Sequence, residues 1–367
     1  MSNKQITIPV EGLNSSGGLR IIIEIANLFA NNDLNVCIIY PEFASKSNFK
    51  IDNLVRRKVI PLKKNNIFNK FIYLGYLLLF SAKKGDLFIA STYRSVIYIY
   101  ISKILNLNFS SKIIHLIQGL DIISLIQKVN SNLISKYINS NLYNISNKIF
   151  KYNIAVSNHI RDNMEDCQIV INNFVDTNSF YPNKKISSIK NNFTIGTVSH
   201  SAPNKGFDFF LECSNELINN SKTNSFEINF QCATQDEILK NKYSNYIKFI
   251  KTNSDLEMNK FYNQCDIFFL TSHSEGFGLP ALEAMACGCF VVSTDCGGVS
   301  DFLTNNHNGI IMNKRDKNLF LEIVLNIIEN PTKVLKLKQR AIKIAKNQFN
   351  KDIFDTAYLS YIKSKIN

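Results

Sequence analysis

Two glutamates, Glu275 and Glu283, stand with seven residues between them in the stretch "SEGFGLPALEAMACG", residues 274–288. Between them lie Gly276, Phe277, Gly278, Leu279 and Pro280, a flexible turn that runs into a short helix. Pro280 suits a first helical position and Gly288 a C-terminal cap, so the spacing predicts a helix over 280–287. The open N–H groups of such a helix favour an anion. Gly276 and Gly278 let the backbone approach a ligand closely. Glu283, read into the first helical turn, would accept hydrogen bonds from hydroxyls beside that anion. Glu275, ahead of the turn, would meet a different part of the same ligand. A diphosphate with a sugar at each end, one of them ribose, fits this layout. An idle strand–turn–helix with an acid near its start explains the stretch equally well when it is taken alone.

Two neighbouring loops shift the balance. "GTVSHSAPNKGFDFF", 196–210, carries His200, Lys205 and Gly206 ahead of a helix, and a lysine there reaches a phosphate as a mobile point charge. "STDCGGVSDFL", 293–303, offers Gly297-Gly298 as a further backbone cradle. Singly, each is an ordinary turn. Three at the strand ends of one half of the chain point to a nucleotide-diphosphate site.

Those loops need strands behind them. "QITIPV", "NVCIIYP", "GDLFIAST" and "KIIHLIQ" form a first series, and "FTIGTVS", "FEINFQCA", "IKFI", "CDIFFLTS" and "GCFVVSTD" a second. Both alternate with helical patterns, which predicts parallel sheets covered by helices. "CDIFFLTS" is apolar on both faces, as a central parallel strand must be. The polar, Asn-rich segment 172–192 reads as the join between two α/β halves. The last segment, from Pro331 onward, reads as two or three helices.

At these motifs the chain resembles the family 4 retaining glycosyltransferases of the GT-B fold. "EGFGLPALE" fits that family's glutamate motif, with "AVSNHIRDNM", "INNFVDTNSFYP", Lys205-Gly206 and "CGGVSDFLTNNHNGIIM" in the expected order. The resemblance implies an α/β GT-B fold with two Rossmann-like domains facing across a cleft. An N-terminal acceptor domain would span 1–180 and regain a C-terminal helix at about 346–367, and a donor domain would span 181–345. Glu275 would bind hydroxyls of the transferred sugar, Glu283 the ribose, and Lys205 the diphosphate. Backbone around Gly276, Phe277, Gly278, Leu279, Gly297 and Gly298 would support the donor. His200 stands where many members have Arg, which exchanges a charged fork for an imidazole. Either a protonated His200 or the Ser199 and Ser201 hydroxyls would take over that task.

In the first half, "EGLNSSGGLR" matches the family's N-terminal glycine loop, so Gly17 and Gly18 would approach the diphosphate or the acceptor. A plain strand–helix turn competes with that reading. "HLIQGLD" supplies His115, Gln118 and Asp121 as acceptor-side candidates, although His115 reads better as a core histidine. Arg94, in "STYRS", would meet an anionic acceptor.

The implied reaction is metal-independent and retaining, with a nucleotide-sugar donor and a glycan or lipid-linked acceptor, in cell-surface polysaccharide or glycolipid synthesis. No cofactor is expected, and no Asp-x-Asp metal motif occurs. A sugar-nucleotide 2-epimerase of the same fold and a non-catalytic nucleotide or glycan binder are the alternatives.

The charge is +13 overall, and residues 46–84 hold ten basic residues against the single acid Asp52. Around "FIYLGYLLLF" this predicts a face for an anionic membrane, against the plainer reading of solvated lysines and a buried helix. No nucleic-acid motif accompanies the charge. The eight cysteines form no Cys-x-x-Cys pair and sit in apolar runs, so reduced, buried thiols and a cytoplasmic protein are expected, peripheral at the inner membrane face. "MSNKQITIPV" reads straight into a strand, with no secretory leader expected.

Overall fold

The computed structural model describes residues 4–13, 16–45, 49–64, 87–92, 111–119, 152–164, 169–187, 192–224, 226–243 and 246–366, with isolated positions between them. The chain divides into two compact units, Met1–Asn172 with Phe354–Asn367, and Asn173–Ile353. Arg94, Asp121 and about half of 46–84 lie outside the described residues.

The first unit contains β1 (Gln5–Pro9), α1 (Gly17–Ala30), β2 (Asn35–Pro41), β3 (Arg56–Ile60), β4 (Leu87–Ala90), β5 (Lys112–Ile117), β6 (Asn153–Ala155), α2 (Asn158–Asp162) and β7 (Ile169–Val170). Its sheet runs β3-β2-β1-β4-β5-β6-β7, and every pairing is parallel. The order reverses between β1 and β4, the crevice where open α/β sheets bind ligands. The Ser16 side chain caps α1 by accepting the Leu19 N–H at 3.3 Å. Nine residues of α1 are buried, so its apolar face is fixed against the sheet. Strand β3 was not anticipated: "RRKVI" is a sheet edge, where one exposed side lets charge replace an apolar pattern. Within "FIYLGYLLLF", Ile72 and Tyr73 pack on Cys37, Ile39 and Ile60, and the Tyr73 phenol donates to the carbonyls of Val10 at 2.7 Å and Ile39 at 3.0 Å. This part of the run is core.

The second unit contains β8 (Asn192–Val198), α3 (Phe207–Asn224), β9 (Glu227–Ala233), α4 (Glu237–Tyr243), β10 (Ile247–Ile250), α5 (Asp255–Gln264), β11 (Ile267–Leu270), α6 (Leu279–Ala286), β12 (Phe290–Thr294), β13 (Ile310–Met312), α7 (Lys317–Glu329) and α8 (Pro331–Gln348). Its sheet order is β10-β9-β8-β11-β12-β13, again wholly parallel, with the reversal between β8 and β11. A phenylalanine core covers one face. Phe209 and Phe210 from α3 meet Phe269 of β11, which stacks on Phe320 of α7 with ring centroids 4.0 Å apart. Each such buried ring contributes about 1.5–3 kcal/mol. The packing holds α3 and α7 rigidly beneath the loops that leave β8 and β11. The last helix, α9 (Lys351–Ile366), passes from the second unit into the first at Phe354. Among the described residues no helix is long and apolar enough to cross a membrane. All eight cysteines are buried free thiols.

Candidate functional site

Lys205 follows β8 and Glu275 follows β11, the two strands that flank the reversal in the second sheet. Their side chains meet there, with Lys205 Nζ 2.7 Å from Glu275 Oε1. Both are largely enclosed, at 24% and 12% side-chain exposure, so solvent screens this pair less than it would a surface pair. The Ser272 hydroxyl also donates to Glu275 Oε1, at 2.6 Å. Oε2 has no hydrogen-bond partner among the described residues, and it is the atom left for a ligand hydroxyl.

The backbone at Glu275 is clamped from the next strand. Its N–H donates to the Cys296 carbonyl at 2.7 Å, and its own carbonyl accepts the Gly298 N–H at 3.0 Å. Gly297 bridges to Glu275, and Gly298 lies flat against the turn: a Cβ there would sit 2.2 Å from the Gly276 carbonyl oxygen. Only glycine permits that approach. The Thr294 hydroxyl adds a 2.6 Å bond to the Ser272 carbonyl.

Gly278 precedes α6 with φ 96°, a left-handed conformation that other residues resist. It turns the chain so that, among the described residues, the N–H groups of Phe277, Gly278 and Leu279 donate to no protein acceptor. Three open amides at a helix start form an anion cradle. The Phe277 side chain faces away from it, 3% exposed and packed on Phe302 and Phe349, so this residue can offer a ligand only its backbone.

The helix begins at Leu279, one residue earlier than the proline suggested. Glu283 therefore lies in the second turn, not the first. It is 8% exposed, and its Oε2 accepts the Tyr262 phenol at 2.9 Å.

His200 sits on the same loop as Lys205. Its Nδ1 accepts the Ala202 N–H at 3.1 Å, which leaves Nε2 as the donor of a neutral ring. Burial, then the Lys205 charge, lowers its pKa against the pull of Asp236 and Glu275. An uncharged imidazole is thus the resting form, and charge at this loop comes from Lys205. Ser199 is 4% exposed and its hydroxyl is unpartnered among the described residues.

Three residues of this site gave no sequence signal. Ser272 and Tyr262 read as strand-end and helix-core positions. Arg315, in the turn before α7, donates to the Thr271 carbonyl, lies 4.5 Å from the Phe209 ring centroid and approaches Asp208 Oδ1 at 3.7 Å. The Thr271 hydroxyl donates to the Lys205 carbonyl at 3.1 Å. Arg315 thereby braces the turn that carries Lys205.

The first unit repeats the pattern less completely. The loops after β1 and β4 meet where Thr92 Oγ1 donates to Glu11 Oε1 at 3.2 Å. Gly17 is exposed, and a Cβ on Gly18 would lie 2.8 Å from Gln118 Oε1, so the glycine loop and the loop after β5 touch. His115 is not presented to any ligand. It is 3% exposed inside the sheet, and burial pushes its imidazole down to about 4. The described residues hold no cluster of three metal-ligating side chains.

Residues 182–348 match the family model described as "Glycosyl transferases group 1". An uncharacterized glycosyltransferase of Methanocaldococcus jannaschii is 28% identical over 186 residues, which is 50% of each chain. The chain spans about half the length of the curated relatives it matches. Sucrose-phosphate synthase from Thermosynechococcus elongatus superposes with a TM-score of 0.79 at 15% identity, covering 99% of both chains. HepE of Anabaena, solved in complex with UDP-glucose, gives 0.74 at 16% identity over 98% of this chain and 99% of its own. At these identities the likeness is one of fold, and that fold is GT-B.

Proposed function

We propose, from the premise that residues 182–348 belong to the glycosyl transferases group 1, that the protein moves a sugar from a nucleotide-diphosphate sugar to a glycan or lipid-linked acceptor with retention at the anomeric carbon. The observation that carries this reading is the convergence of Lys205, Glu275 and three open amides at one strand-order reversal. In the ligand-free pair, the lysine is held by the acid. A diphosphate entering the amide cradle offers Lys205 a stronger anion and releases Glu275 to accept sugar hydroxyls. HepE, of the same fold, binds UDP-glucose, and a uridine donor is the first to try.

Retention comes either from two successive inversions or from attack on the face the leaving group departs. In a double displacement, an enzyme carboxylate would be the nucleophile. Glu283 is turned toward Tyr262 and deeply enclosed, so it does not serve. In front-face displacement, the acceptor oxygen bonds to the anomeric carbon as that carbon's bond to the diphosphate oxygen breaks. The acceptor proton passes to the departing diphosphate. Lys205 and the amides of Phe277, Gly278 and Leu279 stabilise the charge that grows there, as a preorganised oxyanion site does. Protein groups then supply the positive charge. Turnover of a nucleotide-sugar panel is expected to persist in excess chelator. Loss of turnover that a divalent ion restores overturns the metal-independent route, and an epimerised donor without transfer favours the isomerase.

The acceptor side is read from charge. On edge strand β3, Arg56 and Arg57 are exposed beside Lys50, Lys63 and Lys64, and Leu54 and Val59 are 63% and 45% exposed. Cations flanking apolar side chains suit an anionic lipid surface and a lipid-linked acceptor. Co-sedimentation with phosphatidylglycerol vesicles is expected at low salt and should weaken as salt rises. No binding at low salt removes this part of the proposal.

A further inference from the structure

Helix α8 takes no part in the site described above, yet its outer face carries charge of one sign only. From Asn330 to Lys351 the chain holds no Asp or Glu. The helix turns Val334, Leu337, Lys338, Ala341 and Ala345 inward. Lys333, Lys336, Arg340, Lys343 and Lys346 are exposed. Their spacing of three and four residues places them on one solvent-facing arc, along about 20 Å of helix. Among the described residues, none of the five pairs with a carboxylate. Like charges at these spacings weaken a helix, and Lys333 in the first turn also opposes the helix dipole. An external anion relieves both. The stripe is widened on one flank. The buried Lys338 donates from Nζ to the Ser187 carbonyl at 3.3 Å, and Ile186 and Ile342 both close on Gly288. The segment with the exposed Lys184 and Lys185 is thereby held beside α8.

We propose that this face of α8 docks on an anionic lipid bilayer. It belongs to the second unit, is separate from strand β3, and depends neither on the transfer reaction nor on the surface assigned to β3. A stripe on the convex side of one helix meets a flat plane of headgroups along its whole length. Six of the seven cations are lysines, hydrated point charges that suit a diffuse anionic field better than forked recognition of a single phosphate. The helix has no aromatic side chain to stack on a base, which disfavours a nucleic acid. Its apolar face is committed to the core, so the helix rests on the bilayer without inserting, and the attraction is electrostatic and screened by salt. Each cation that reaches the surface contributes about fivefold to partitioning.

The test is co-sedimentation at low salt with vesicles of phosphatidylglycerol and phosphatidylcholine in equal parts, and of phosphatidylcholine alone. Wild type is compared with the fourfold variant Lys333→Gln, Lys336→Gln, Arg340→Gln and Lys343→Gln. A charge-matched control carries Lys248→Gln, Lys251→Gln, Lys260→Gln and Lys314→Gln, and a β3 variant carries Arg56→Gln and Arg57→Gln. Glutamine keeps helix propensity, and melting temperatures within about 4 °C of wild type verify the fold. Wild type is expected to bind only the anionic vesicles. The α8 variant should lose about a hundredfold or more in partitioning, and the charge-matched control less than about tenfold. Equal losses in those two variants mean that net charge alone acts, and overturn the proposal. An α8 variant that binds like wild type, while the β3 variant does not, overturns it and leaves the β3 surface standing. Wild type without affinity for the anionic vesicles removes both surfaces. Tighter binding of a short DNA duplex than of vesicles, lost in the α8 variant, overturns the lipid assignment.

Discussion

Glu275→Ala is expected to lower transfer by about a thousandfold or more while the affinity for the free nucleoside diphosphate changes by less than about threefold. The asymmetry follows from what the side chain touches. Its Oε1 is occupied by Lys205 and Ser272, and Oε2 is open. Under the proposed function, its partner in the complex is then the sugar and not the phosphates. Removing it also frees Lys205 for the diphosphate, which offsets the disturbance to nucleotide binding. The backbone clamp from Cys296 and Gly298 does not depend on the side chain, so the turn should stand. Initial rates with the sugar donor and calorimetry with the nucleotide alone are the two measurements. Full activity in the variant overturns the assignment, and so does a loss of nucleotide affinity as large as the loss of rate.

Lys205→Met is expected to act on the other ligand. It preserves length and removes the mobile cation, so kcat/KM should fall about a thousandfold and diphosphate affinity about tenfold. Glu275 would keep the Ser272 hydroxyl, and the melting temperature should stay within about 4 °C of wild type. Near-wild-type affinity for the diphosphate in this variant would mean that the amide cradle alone binds it, and the role given to Lys205 would fail. The two variants thus separate sugar from phosphate.

Much of the frame was legible in the chain. Runs such as "CDIFFLTS" and "GCFVVSTD" are strands in the structure because β-branched and aromatic residues suit a sheet covered on both faces. The edge strand β3 was not legible, since one open side relaxes that rule and leaves "RRKVI" without an apolar strand pattern. The pairing of Lys205 with Glu275 spans 70 residues and is created by strand order, which local spacing does not carry. Helix α6 starts one residue early, after Gly278 in the left-handed region, so Glu283 is its fifth residue rather than its fourth, and its carboxylate meets Tyr262. Arg315 was hidden for a different reason: in "NKRDK" it is one basic residue among several, and its place is set by the Phe209 ring across the fold. His115, by contrast, followed its apolar setting into the core.

The contact between Gly298 and the Gly276 carbonyl ties two segments of the chain into a single mechanical part. Diversification aimed at a new donor cannot treat them as separate cassettes, because bulk added to either pushes the other. The backbone there is a chassis to be left alone. Altered sugar preference has to be sought in the side chains mounted around it, with both segments transplanted together whenever one is exchanged.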